Sequence, residues 1–358
     1  MDPLIIPQPD TIPVSWGWLQ FLLLLTFPLH LLAMNAMVGG LAIGIVQHMR
    51  GGDLQKQLAH RIAIALPLVI AFVVNLGVAP FLFVQVLYGQ FLYSSSVLMG
   101  AFWILVIPIL IIAYYSAYLY DFRFTRLGST GPWLAVLVFI LLITIGFLFS
   151  NNMLLMALPG QFGEYFSHKS GTLLSFTQPS FWPRFLHMLF GALAIGGLFV
   201  ALLGRFRKDV HPELAVHAEK IGLRSFLIFT SGNILVGSWY LLSLPKELTM
   251  LFMGGNTGAT IAFCLALLLL ARALFAAYKK RFWSVFYHAV GLVVVMTFMR
   301  SWLRSGYLQD VFTLDQLQVV PQYSPMIFFF VTLGAGIACL AWLVKKTSDV
   351  FRLERDQG

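Results

Sequence analysis

Long apolar runs alternate with short polar ones along the whole chain. Nine of the runs meet or approach the roughly 20 residues a helix needs to cross hydrocarbon. They fall at 16–47, 60–88, 95–120, 132–156, 181–204, 221–243, 254–277, 283–304 and 323–344. The pattern predicts an all-α integral membrane protein with nine transmembrane helices. Composition agrees: 59% of the 358 residues are hydrophobic and 10% charged, too apolar for a chain that must cover its surface with polar groups. The first run is long enough to span and has no basic segment before it, so it reads as a retained helix and not a cleaved signal.

A net charge of +9 raises the question of nucleic acid, but the basic residues alternate loop by loop. Eighteen of the 23 Lys and Arg lie around residues 50–61, 123–126, 205–224, 272–281 and 345–355. The positive-inside rule makes those ends cytoplasmic, with the N-terminus outside and the C-terminus inside. The other five are Lys169, Arg184, Lys246, Arg300 and Arg304. Lipid is therefore the expected partner of this surface, and no nucleic acid. Cys264 and Cys339 both fall within spans and far apart, so neither a disulfide framework nor a covalent haem attachment motif is present.

One pattern occurs twice, 157 residues apart: Leu29-His30-x-Leu32 followed by Gly39-Gly40-Leu41, and Leu186-His187-x-Leu189 followed by Gly196-Gly197-Leu198. His60 and His217 share that offset; Asn75 and Asn233, Met99 and Met253, and Trp133 and Trp283 come close to it. The chain thus reads as a duplication. Its parts are a four-helix bundle at 15–156, a second at 180–306, a ninth helix at 320–346 and a tail at 347–358. The two bundles are expected side by side about a pseudo-twofold along the membrane normal. Gly39, Gly40, Gly44, Gly191, Gly196 and Gly197 are expected to let helices approach closely.

A histidine placed twice within apolar helices is the pattern expected of axial haem ligands. On its helix His30 shares a face with Ala33, Met34 and Met37, and His187 with Gly191 and Ala194, floors small or flexible enough for a flat macrocycle. The competing reading is a core histidine bonded to a neighbouring helix. Met99 and Met253, each followed by glycine, are candidate sixth ligands, though methionine is also common core filler. Arg184, Arg300 and Arg304 lie where nearby acidic residues are scarce, so haem propionates are candidate counter-charges. A third haem is a further alternative on the inner histidines His48, His60, His217 and His288, of which His288 lies deepest. No glutamate or aspartate falls mid-span, so an intramembrane carboxylate path for protons is missing.

Several stretches resemble subunit I of the cytochrome bd family of quinol oxidases. They are Leu19-Gln20-Phe21, Leu76-Gly77-Val78-Ala79, Ser150-Asn151-Asn152-Met153, Arg184-Phe185-Leu186-His187, Arg224-Ser225-Phe226, and Arg300 with Trp302. The resemblance implies that His187 ligates a low-spin haem b with Met253 as partner, and that His30 serves the first-bundle haem. Two family carboxylates are replaced: one position is Met99, and the other falls near Thr297 or Phe298. The family's long quinol-binding loop is reduced to about Leu244–Leu248. What the resemblance leaves is the electron-transfer part of the scaffold.

The expectation is a cytochrome b subunit of a respiratory complex in the bacterial inner membrane. It would carry two haems b and pass electrons from menaquinol or ubiquinol to a periplasmic multihaem c-type cytochrome, beside other membrane subunits. Lys246, Glu247 and Glu164 are the nearest titratable candidates for the quinol. The alternatives are a bd-type terminal oxidase with altered ligands, and a haem-free membrane anchor or transporter.

Overall fold

The computed structural model describes residues 5–206 and 208–356, with side chains as far as residue 346. The helices are α1 (Trp16–Arg50), α2 (Asp53–Leu87), α3 (Gly89–Leu98), α4 (Gly100–Phe122), α5 (Gly131–Leu155), α6 (Phe181–Arg205), α7 (Pro212–Ser243), α8 (Lys246–Met250), α9 (Thr257–Tyr278), α10 (Phe282–Leu308) and α11 (Tyr323–Asp356). All but α3 and α8 are long and apolar enough to cross a membrane, α11 over Tyr323–Lys346. The protein is an all-α, multi-pass membrane protein.

Helix boundaries depart from the apolar runs where polarity does not interrupt the backbone. The second and sixth spans, expected to begin at 60 and 221, start instead at Asp53 and Pro212. Their first turns carry Asp53 and Glu213, acidic groups that favour a helix N-terminus, and the charged turns extend each helix beyond its apolar stretch. The third run, expected unbroken from 95, splits at Met99 into α3 and α4. The loop expected at 244–253 holds α8 and a π-helical turn, Leu251–Gly255, where Gly254 adopts φ 105°. Glycine tolerates that left-handed backbone, and Asn256 then caps α9 by accepting from Ala259 N at 2.9 Å.

Contacts between helices come in matched pairs. The longest pairings are α1 with α2 and α6 with α7; α4 packs on α5 as α9 packs on α10. Between these groups α1 lies against α6, and the crossed contacts α1 to α10 and α5 to α6 correspond. Gly39 and Gly196 meet at the α1–α6 crossing. A methyl group on Gly39 would overlap Ala192 O and sit 2.8 Å from Gly196 Cα, and one on Gly196 would overlap the Gly39 backbone. Gly197 faces the Gly222 carbonyl, and Gly40 and Gly44 face the Phe199 and Ile62 side chains. Of the six glycines read as packing residues, only Gly191 has ordinary clearance, 3.7 Å to Asn233 Nδ2.

At the basic end, Leu58 and Ile62 pack with Val200, Leu214 and Ala218. At the far end, Ile12 N donates to Gln318 O and Val320 N to Ile12 O, both at 2.9 Å, tying the entry to α1 to the strap that leads into α11. Gln20 Nε2 donates to Ser301 Oγ at 2.6 Å, joining α1 to α10. Near its start helix α11 packs on the rest through Met326 and the edge contact of Phe330 with Trp18; from 331 to 346 every side chain is exposed.

Candidate functional site

His30 Nδ1 lies 3.0 Å from the carbonyl oxygen of Val73 on α2. A carbonyl only accepts, so Nδ1 carries the proton of the neutral ring and Nε2 keeps its lone pair. The imidazole rests on Gly77, one turn further along α2, where a Cβ would stand 2.9 Å from Cε1. Glycine there lets the ring reach a carbonyl that a larger residue would cover.

His187 repeats this arrangement on α6 and α7. A Cβ on Gly237 would stand 3.0 Å from its Cε1 and Nδ1, and the carbonyl and amide of Asn233, four residues earlier, face the ring. The contact is looser: His187 Nδ1 and Asn233 Oδ1 are both buried, and neither completes a hydrogen bond of ordinary geometry. The structural counterparts are thus Val73 with Asn233 and Gly77 with Gly237, 160 residues apart. The pairing of Asn75 with Asn233 read from the sequence is two residues out of register. Asn75 is exposed and turns back to Ala71 O, whereas Asn233 faces inward. Both histidines precede the Gly39–Gly196 crossing by the same nine residues, about 13 Å of helix, so they sit at similar depth.

His30 lines a cavity of about 400 Å³ walled by α1, α2, α4, α5 and α6, with Arg300 and Arg304 of α10 at one edge. Its walls are mostly apolar, including Phe27, Ile70, Phe81, Leu142 and Phe149, and four methionines, Met34, Met37, Met153 and Met188, border it. The volume lies in the range of about 300–1,000 Å³ typical of cofactor sites. No group of three or more His, Cys, Asp or Glu among the described residues could hold a bare ion. His187 does not border this cavity.

Arg184, Arg300 and Arg304 line the cavity and also a cleft of about 40 Å³ beside it, together with Met153, Met156, Ala157, Tyr240, Leu303 and Tyr307. The Arg300 guanidinium lies 4.7 Å above the Phe27 ring and that of Arg304 lies 5.0 Å above Tyr88. Cation–π contact offsets part of the cost of burying these charges. The ion pairs among the described residues are His168 with Glu164 and Arg205 with Glu219, so none of the three arginines has a carboxylate partner. Arg304 Nη1 is buried without a hydrogen bond. An apolar slot with one bare imidazole nitrogen and an uncompensated cationic edge fits a protohaem, whose ring is apolar and whose propionates are anionic.

The other sequence candidates lie elsewhere. Met99 is fully buried at the α3–α4 junction among Leu98, Phe91 and Leu155, and borders neither cavity. Met253 is 46% exposed on the π-helical turn, also away from both. His288 uses both ring nitrogens: Nε2 accepts from Arg272 Nε at 3.1 Å and Nδ1 approaches Ser284 O at 2.6 Å. His48 bonds the Tyr120 hydroxyl at 2.9 Å, and Phe124 is stacked between the rings of His48 and His60. His217 reaches Gln47 Oε1 at 3.0 Å. Lys246 and Glu247 begin α8, exposed, and Glu164 is exposed beside His168. Residues the sequence did not single out are Val73, Gly237, Tyr240, Tyr307 and Met188; Gly77 and Met153 stood in the quoted stretches without a role. Of the five, only Gly237 carried a signal, as a small residue inside a long span.

No protein-family model matches the chain, and comparison with characterised proteins gives no significant match.

Proposed function

We propose that the protein is a membrane cytochrome b subunit that takes electrons from a quinol and hands them singly to a periplasmic c-type cytochrome. The observation that carries this reading is His30, its Nδ1 turned to Val73 O and its Nε2 bare, on the wall of a 400 Å³ apolar cavity edged by unpaired arginines. A haem bound there would supply one-electron chemistry. His30 holds the iron, and the Val73 carbonyl fixes the ring orientation and raises ligand basicity. The apolar walls exclude water, and Arg300 and Arg304 hold carboxylates at the edge. His187, with Asn233 and Gly237 in the roles of Val73 and Gly77, is the second ligand. No carboxylate borders either cavity among the described residues, which favours electron transfer over a reaction that must draw protons to a buried centre.

A pyridine haemochrome assay on the purified chain tests the reading. About two haems b per chain are expected, by one haem per repeated histidine. His30→Ala should lose one of them and keep the fold, judged by circular dichroism. A wild-type chain free of haem refutes the reading in favour of a membrane anchor. Cyanide-sensitive oxygen uptake by the purified complex refutes it in favour of a terminal oxidase.

A further inference from the structure

The two repeats are alike at their histidines and unlike in charge. At the offset that relates His30 to His187, Arg184 falls on Phe27, and α5, the counterpart of α10, contains no lysine or arginine. All three guanidinium groups therefore come from the second repeat, while the cavity they edge is built mainly by the first. Arg184 also stands three residues before His187 on α6, one turn away. Tyr240, whose ring centroid is 6.3 Å from that of His187, lines the cleft that holds all three arginines. The cleft thus borders the His30 cavity on one side and shares Tyr240 with the surroundings of His187 on the other, though the His187 ring does not itself line it.

We infer that the Arg184–Arg300–Arg304 cleft is a single carboxylate clamp shared by both histidine sites, binding propionates of both haems and raising the two redox potentials together. The inference rests on the haem reading above. Uncompensated cations near an iron porphyrin disfavour its oxidised, more positive form, and the low dielectric between two buried sites lets one set of charges act on both. Tyr240 and Tyr307 also line the cleft, and a phenol hydroxyl can donate to a carboxylate oxygen.

Spectroscopic redox titration of wild type, Arg300→Gln, Arg304→Gln and Arg184→Gln tests the clamp, with haem content counted in each. Both midpoint potentials should fall together in every glutamine variant, and Arg304→Lys, which keeps the charge, should stay near wild type. Each glutamine variant is read on its own, so Arg184→Gln or Arg300→Gln supplies the reading if Arg304→Gln fails to accumulate. A fall confined to one haem, or none with haem content intact, overturns the inference. So does a cleft occupied by phospholipid: native mass spectrometry would then show lipid lost from the variants while the potentials stay put. A wild-type chain that binds no haem is a separate outcome, which removes the cytochrome reading itself.

Discussion

Gly39 of α1 and Gly196 of α6, residues 157 apart, touch backbone to backbone where the two repeats cross. Each occupies the space the other's side chain would need. The contact sets the distance between the repeats and, nine residues earlier on each helix, the placement of the two histidines.

Because the neighbours of Gly39 and Gly196 are main-chain atoms that cannot swing aside, Gly39→Val or Gly196→Val should cost more than ordinary overpacking, about 3 kcal/mol or more. Thermal unfolding in detergent should show a marked drop for both. Gly89→Ala, where a Cβ meets nothing within 4 Å, should leave the midpoint nearly unchanged.

The glycine under each imidazole should act locally. Gly77→Ala places a methyl 2.9 Å from His30 Cε1 and should displace that ring alone, while Gly237→Ala should displace His187 alone. Each variant is expected to alter one haem absorption or paramagnetic resonance signal and spare the other. Both signals changing alike in each variant would contradict independent seats.

Gly146 borders the cavity with open space around it. Gly146→Leu should therefore fold normally and occupy part of the cavity. The expected result is a chain of wild-type stability with reduced haem content, read as the ratio of haem to protein.

Methionine substitutions should separate packing from ligation. Met99→Ala opens a hole in the core and should cost about 2–5 kcal/mol. Met253→Ala, on an exposed turn, should cost under about 1 kcal/mol. Neither should change a haem spectrum, whereas Met153 or Met188, on the cavity wall, can reach a bound macrocycle. A spectral shift in Met253→Ala would restore it as a ligand.

Asn151 and Asn152 at the end of α5 are fully buried. Asn151 Oδ1 accepts from Ser175 N at 2.9 Å and Asn152 Oδ1 from Ser95 Oγ at 3.3 Å, so they pin the 157–180 segment and α3. Asn151→Leu should leave the Ser175 amide without that partner, at about 1–3 kcal/mol. Limited proteolysis should then cut within 157–180 faster than in wild type.

The nine spans were readable from apolar length alone, because a lipid-exposed helix must be apolar all round. The close approach at Gly39 and Gly196 was readable, because a glycine pair repeated inside apolar spans is what two backbones in contact require. The register slipped on α2 and α7: Asn75 and Asn233 matched as letters, yet the residues in matching places are Val73 and Asn233. A carbonyl that orients an imidazole can belong to any residue type, so Val73 left no mark in the sequence. The convergence of Arg184 with Arg300 and Arg304 was equally hidden, since it depends on α6 and α10 flanking one cleft. Met99 and Met253 border neither cavity, and the Met-Gly pair coincides with the helix breaks before α4 and α9, where local backbone geometry places the methionine.

The arginine cleft also bears on how the chain is oriented. Of the five basic residues outside the five clusters of Lys and Arg, three turn into the cleft, leaving Lys169 and Lys246 as the exposed cations there. Charges folded inward tell little about which loops resist translocation, so the count on which the expected orientation rests becomes eighteen against two in place of eighteen against five.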